Sequence, residues 1–207
     1  MTGKTLPVLI VTCLSAASIG ISQQRDVIVT AIPQVIAPGA KWQLVWQGTD
    51  NADGIVGTSD GGLLFAQEQP NDIRKLDKDD KVSVYVKDTH GAGAVAIDAQ
   101  GRILAVQRTC TDPGRNAAAC SEPTAVAIIY PEKDRKILAD NYLGRPLGRL
   151  NDLVVDKKGT VYFTVGFAYY VKANGDVMSL GDNLRTNGIM LSPDERILYV
   201  TNGGSIN

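Results

Sequence analysis

Gly148–Val165, GRLNDLVVDKKGTVYFTV, carries a strand-turn-strand pattern. A polar pair, Asn151-Asp152, precedes the apolar run Leu153-Val154-Val155. The segment Asp156-Lys157-Lys158-Gly159 then turns the chain into a second run, Val161-Tyr162-Phe163-Thr164. β-Branched and aromatic residues suit a pleated surface, and a glycine closing the turn supplies the positive φ that L-residues avoid. The stretch therefore predicts a β-hairpin with a polar residue at the entrance of its first strand.

With Gly159 as a ruler, the same pattern recurs. Residues 53–67 read DGIVGTSDGGLLFAQ, 93–107 GAVAIDAQGRILAVQ, and 187–201 NGIMLSPDERILYVT. The shared turn position is Gly61, Gly101, Gly159 and Glu195, at spacings of 40, 58 and 36 residues. Strand-turn-strand units at a period near 40 predict an all-β chain folded as a β-propeller. Lys81–Val86, Thr124–Tyr130 and Ala168–Val171 supply outer strands. A β-sandwich with coincidental hairpin similarity is the competing reading.

Eight residues before each turn position stand Asp53, Gly93, Asn151 and Asn187. Equivalent positions at the start of innermost propeller strands converge on one mouth of the central channel. Asp53, Asn151 and Asn187 would then form a ring of hard oxygen donors suited to Ca²⁺ or Mg²⁺. Asn and Asp also cap turns at strand entrances, which is the alternative at each position taken singly.

The 207 residues are 44% hydrophobic and 21% charged, with a formal net charge of −1. That balance fits a globular chain with one sizeable core. No basic stripe or arm is present, which argues against a nucleic-acid partner. Residues 1–22 have the three-part layout of a secretory signal peptide: Lys4, an uncharged stretch from Leu6 to Ile21, then small residues. The apolar stretch falls short of the ~20 residues of a spanning helix, so no membrane partner is expected once the signal is removed. The expected location is exported, periplasmic or secreted, with a propeller domain over 23–207. Cys110 and Cys120 flank a Pro-, Gly- and Asn-containing loop and, in an exported chain, predict a disulfide.

The Arg149–Thr164 segment resembles a motif of the SMP-30/gluconolactonase/luciferin-regenerating-enzyme-like family. Asn187–Thr201 resembles a second motif of that family, and Asp53–Phe65 a third. The resemblance implies a six-bladed propeller with a divalent metal in its channel, Ca²⁺ foremost with Zn²⁺ or Mg²⁺ as alternatives. It also implies hydrolysis of sugar lactones or related cyclic esters, a small-molecule substrate class. By position, Asn151 and Asn187 become metal ligands, and Arg149 orients substrate. Asp53 stands where the family has a glutamate ligand and is the ring's carboxylate, hence also the catalytic base candidate. His90, three residues before Gly93, could reach the channel mouth as a further substrate contact. At ~40–45 residues per blade the chain after residue 22 holds about four blades, so it reads as the N-terminal part of a longer protein. A propeller that binds without catalysing, or an inactive fragment of such an enzyme, is the alternative function.

Overall fold

The structure, a computed structural model, describes residues 28–48, 50–108, 123–172, 174–181 and 183–203. The expected signal segment 1–22 and the expected Cys110–Cys120 disulfide lie outside the described residues. The chain divides between Leu44 and Val45 into two compact units. Among the described residues of the first, Ile32 and Ile36 form an isolated antiparallel bridge across a tight turn.

The second unit is all-β. Its first sheet runs β1 (Asp53–Gly57), β2 (Leu63–Gln67), β3 (Asp72–Leu76), β4 (Val82–Lys87), in that order and antiparallel. The second sheet is β5 (Ala92–Ile97), β6 (Ile103–Gln107), β7 (Ala125–Tyr130) and β8 (Lys136–Ala139). A short ribbon, β9 (Asn141–Tyr142) with β10 (Arg145–Pro146), follows. The third sheet is β11 (Leu153–Val155), β12 (Val161–Thr164), β13 (Ala168–Val171) and β14 (Val177–Ser179). The hairpin β15 (Ile189–Leu191) and β16 (Leu198–Val200) starts a further sheet. Three four-stranded meanders in sequence order are propeller blades. Their first strands are neighbours: β1 touches β5, β5 touches β11, and β11 touches β15.

The four hairpins predicted from the repeat are β1–β2, β5–β6, β11–β12 and β15–β16. Their turns share one construction. The residue three before the shared position accepts its N–H: Gly61 to Thr58, Gly101 to Asp98, Gly159 to Asp156, and Glu195 to Ser192. The shared position has positive φ in all four: 87° at Gly61, 75° at Gly101, 84° at Gly159 and 56° at Glu195. Asp98 and Asp156 tighten their turns further, each Oδ1 accepting two backbone N–H groups ahead of it. In the fourth copy Ser192 bonds back to Ile197, one residue later than the equivalent Asp156–Thr160 pairing.

Packing explains the apolar runs that do not alternate. In the second blade Leu104, Val106, Val126 and Ile128 face the third blade's Leu153, Val161 and Phe163. Ile103, Ala105, Ala127 and Ile129 face the first blade's Leu64, Ala66 and Ile73. Successive residues point to opposite faces, and both faces of this blade are covered, so nearly every position is apolar. Before the first blade, Trp46 lies against the Phe65 ring at 5.1 Å between centroids, with the Arg74 guanidinium over its face.

Candidate functional site

The entrances of the inner strands open onto one cavity of about 350 Å³. Asp53, Asn151, Asp152 and Asn187 line it, with Ala94, Ala96 and Leu153 among its apolar walls. The hairpins fix these positions. Asn151 N–H donates to Thr164 O across β11–β12 at 2.9 Å. Asn187 is held at both backbone groups: its N–H donates to Thr201 Oγ1 at 3.0 Å, and its carbonyl accepts from Thr164 Oγ1 at 2.6 Å. Asp53 Oδ1 accepts the Gly54 N–H at 2.9 Å.

Asp152 sits beside the ring and joins blades. Its Oδ1 accepts its neighbour Leu153 N–H at 2.9 Å, and Oδ2 accepts Ile189 N–H at 3.0 Å, tying β11 to β15. Burial pushes its pKa above the ordinary carboxylate value; the two N–H donors pull it down, Asp53 raises it and Arg108 lowers it. A carboxyl that holds its proton more tightly when folded favours the fold below its unfolded pKa. That contribution is lost as pH rises through the folded value. Relative to the parent chain, Asp152→Asn is therefore expected to gain stability as pH is raised from about 3 to about 6. Urea midpoints across that range check it, and a parallel pH dependence in both proteins refutes it.

Two of the residues that line the cavity share a partner that the repeat pattern alone does not reveal. It is the Arg108 side chain, 5% exposed, which follows the end of β6. Its Nη1 donates to Asp53 Oδ2 at 2.9 Å and to Glu68 Oε2 at 3.2 Å. Its Nη2 donates to the Asn151 main-chain carbonyl and to Asn151 Oδ1 at 3.3 Å. Gly93, the ring position without a side chain, makes this possible: a Cβ there would lie 1.9 Å from Arg108 Cζ. The glycine in the ring register was the one local signal that something else fills that place. Nothing local marks Glu68, the buried carboxylate just after β2.

Arg149 and His90 are not among the described residues that line the cavity. Arg149 is exposed, two residues ahead of Asn151. His90 is half-buried and takes a left-handed backbone, φ 54°, in the loop before β5.

The donor chemistry of Asp53, Asn151 and Asn187 is that of a hard divalent cation site. The fit has a direct observation behind it. Asp53 and Asn151 converge on a single cationic group, the Arg108 guanidinium. Among the described residues no cluster of three or more His, Cys, Asp or Glu forms a metal site, so the amide oxygens of the two asparagines are integral to any such set.

Among solved structures, a gluconolactonase from Xanthomonas campestris superposes with a TM-score of 0.64 at 19% identity, over 77% of this chain and 57% of that one. Virginiamycin B lyase from Staphylococcus aureus superposes with a TM-score of 0.53 at 13% identity, over 79% of this chain and 52% of that one. At these identities the likeness is one of fold: a partial superposition, in the case of the gluconolactonases on six-bladed propellers. In sequence, the chain is 29% identical to a gluconolactonase of Zymomonas mobilis over 192 residues, 82% of this chain and 51% of that protein. The chain thus spans about half the length of the curated relative it matches. The sequence profile of one family covers residues 52–205, from just before β1 to beyond β16. This chain belongs to the SMP-30/Gluconolactonase/LRE-like region family.

Proposed function

We propose that the chain serves metal-assisted hydrolysis of sugar lactones or related cyclic esters. The observation that carries this reading is the meeting of Asp53, Asn151 and Asn187, from three inner-strand entrances, in one cavity. Support comes from the family, whose members often bind a divalent metal, and from the gluconolactonase name of its relatives. Asp53, Asn151 and Asn187 would hold the ion, Ca²⁺ foremost, through one carboxylate and two amide oxygens. When bound, such an ion supplies Lewis-acid polarisation of the lactone carbonyl and charge for the developing oxyanion.

The chain's own residues do the rest. Asp53, the half-exposed carboxylate of the cavity, would take the proton from attacking water. Asp152 is committed to two backbone N–H groups and positions the loop instead. Arg149, exposed two residues ahead of Asn151, would orient the hydroxyls or carbonyl of a sugar lactone through its guanidinium. The apolar walls from Ala94, Ala96 and Leu153 limit water around the ring.

Hydrolysis of glucono-1,5-lactone, followed by acid release, tests the reading. EDTA treatment and Asn151→Ala are each expected to lower the rate by roughly 100-fold, the scale of losing a principal electrostatic stabiliser. Hydrolysis indifferent to both, or none at all in a folded, metal-loaded chain, points to a binding platform instead.

A further inference from the structure

Arg108 is a buried cation bonded to Asp53 and Asn151, two of the three residues that the proposed function gives to a metal. Around its guanidinium lie two carboxylates, Asp53 and Glu68, one amide oxygen and one main-chain carbonyl, the last two from Asn151. Asp53 Oδ2 and Glu68 Oε2 accept from the same nitrogen, Nη1, so both carboxylates point at one spot. Carboxylate, amide and main-chain oxygens are the ligand types of Ca²⁺. Two carboxylates match the charge of a 2+ ion.

We propose that Arg108 is an internal counter-cation of this site. A divalent ion binds only by displacing the guanidinium, and Glu68 then joins Asp53 and Asn151 as a ligand. This rests on the metal reading above and adds to it a second carboxylate and a competitor that sets the affinity. Arg108 holds Asp53, Glu68 and Asn151 together when no ion is bound, which keeps the buried Glu68 carboxylate compensated. Its side chain is long, and it lies over Gly93 with no Cβ beneath it. Displacement therefore calls for movement of a flexible side chain and leaves the strands where they are.

Gly93 offers a way to dislodge Arg108 while keeping its charge in the protein. In Gly93→Ala the new Cβ would lie 2.0 Å from Nε and 2.4 Å from Nη1, so the guanidinium must leave. The position does not have positive φ, so the backbone tolerates alanine. Arg108→Gln removes the cation itself and is the second variant.

Calorimetric titration with CaCl₂ of the full chain and both variants tests the idea, with circular dichroism confirming that each is folded. Gly93→Ala is expected to bind Ca²⁺ at least tenfold tighter than the parent, and Arg108→Gln likewise. In the Gly93→Ala background, Glu68→Gln is expected to lose at least tenfold of that affinity. Equal Ca²⁺ affinity in the parent and the folded variants overturns the competition while leaving the metal reading intact. Tighter binding that is unchanged by Glu68→Gln overturns the assignment of Glu68. Failure of all the folded proteins to bind Ca²⁺ overturns the metal reading and this proposal with it.

Discussion

Gly54→Ala is expected to destabilise the second unit by about 2–5 kcal/mol, combining left-handed strain with overpacking. Gly54 has φ 40°, where an L-residue is strained. A Cβ there would lie 2.3 Å from Ala94 Cα and 2.9 Å from Val95 N. Those atoms are the backbone of β5, the neighbouring inner strand, and no rotamer change can move them aside. The β1–β2 register is interrupted between Asp53 and Ile55, so Gly54 sits at the bulge that lets the two inner strands approach. Against a typical total of 5–15 kcal/mol, this is a large share of the stability. Thermal melts should show a drop of roughly 10 °C for a unit of this size. Gly101→Ala is the control: its φ is also positive, but a Cβ there meets nothing within 4 Å, so only the backbone strain remains. Equal losses in the two variants would mean that inter-strand contact at Gly54 is unimportant.

Phe163→Ala is expected to cost about 3–5 kcal/mol, the range for emptying a buried aromatic site. Phe163 is fully buried in the middle of β12. It stacks on Tyr169 with 5.6 Å between centroids and an interplanar angle of 19°, and Tyr169 meets Tyr142 edge-on. It belongs to the core shared by the second and third blades, among strands that cannot close over a void of that size. Guanidinium unfolding should show a lower midpoint with an unchanged slope if the loss is confined to packing. Phe167→Ala, at a residue 43% exposed, should cost far less. Comparable losses at both positions would refute the assignment of this core.

The hairpins and their order were legible because they are local. A turn residue, a glycine three positions on and flanking β-formers all fall within about fifteen residues, and the same code repeats. The ring register followed, since equal spacing from equivalent turns places side chains at equivalent heights. The strands β3, β8 and β14 were less legible: DIRKL, KILA and VMS run for only five, four and three residues, too short for a period to stand out from loops. Their pairing to an already formed neighbour makes them strands, a tertiary override of weak local preference.

Arg108 shows where local reading stops. In the sequence it is a polar residue ending a strand, ahead of a cysteine-flanked loop. Its partners Glu68, Asn151 and Asp53 lie 40, 43 and 55 residues away. No periodicity encodes such an approach; it exists because three blades bring their strand ends to one place. The repeat, the turns, the alternation of faces and the oxygen donors at the strand entrances are written locally, in short-range sterics and hydrogen bonding. Which face of the second blade meets which neighbour, and which charge bonds to those donors, follows from the assembled sheets. Both depend on side chains far apart in the chain competing for one space, and that competition is settled by packing.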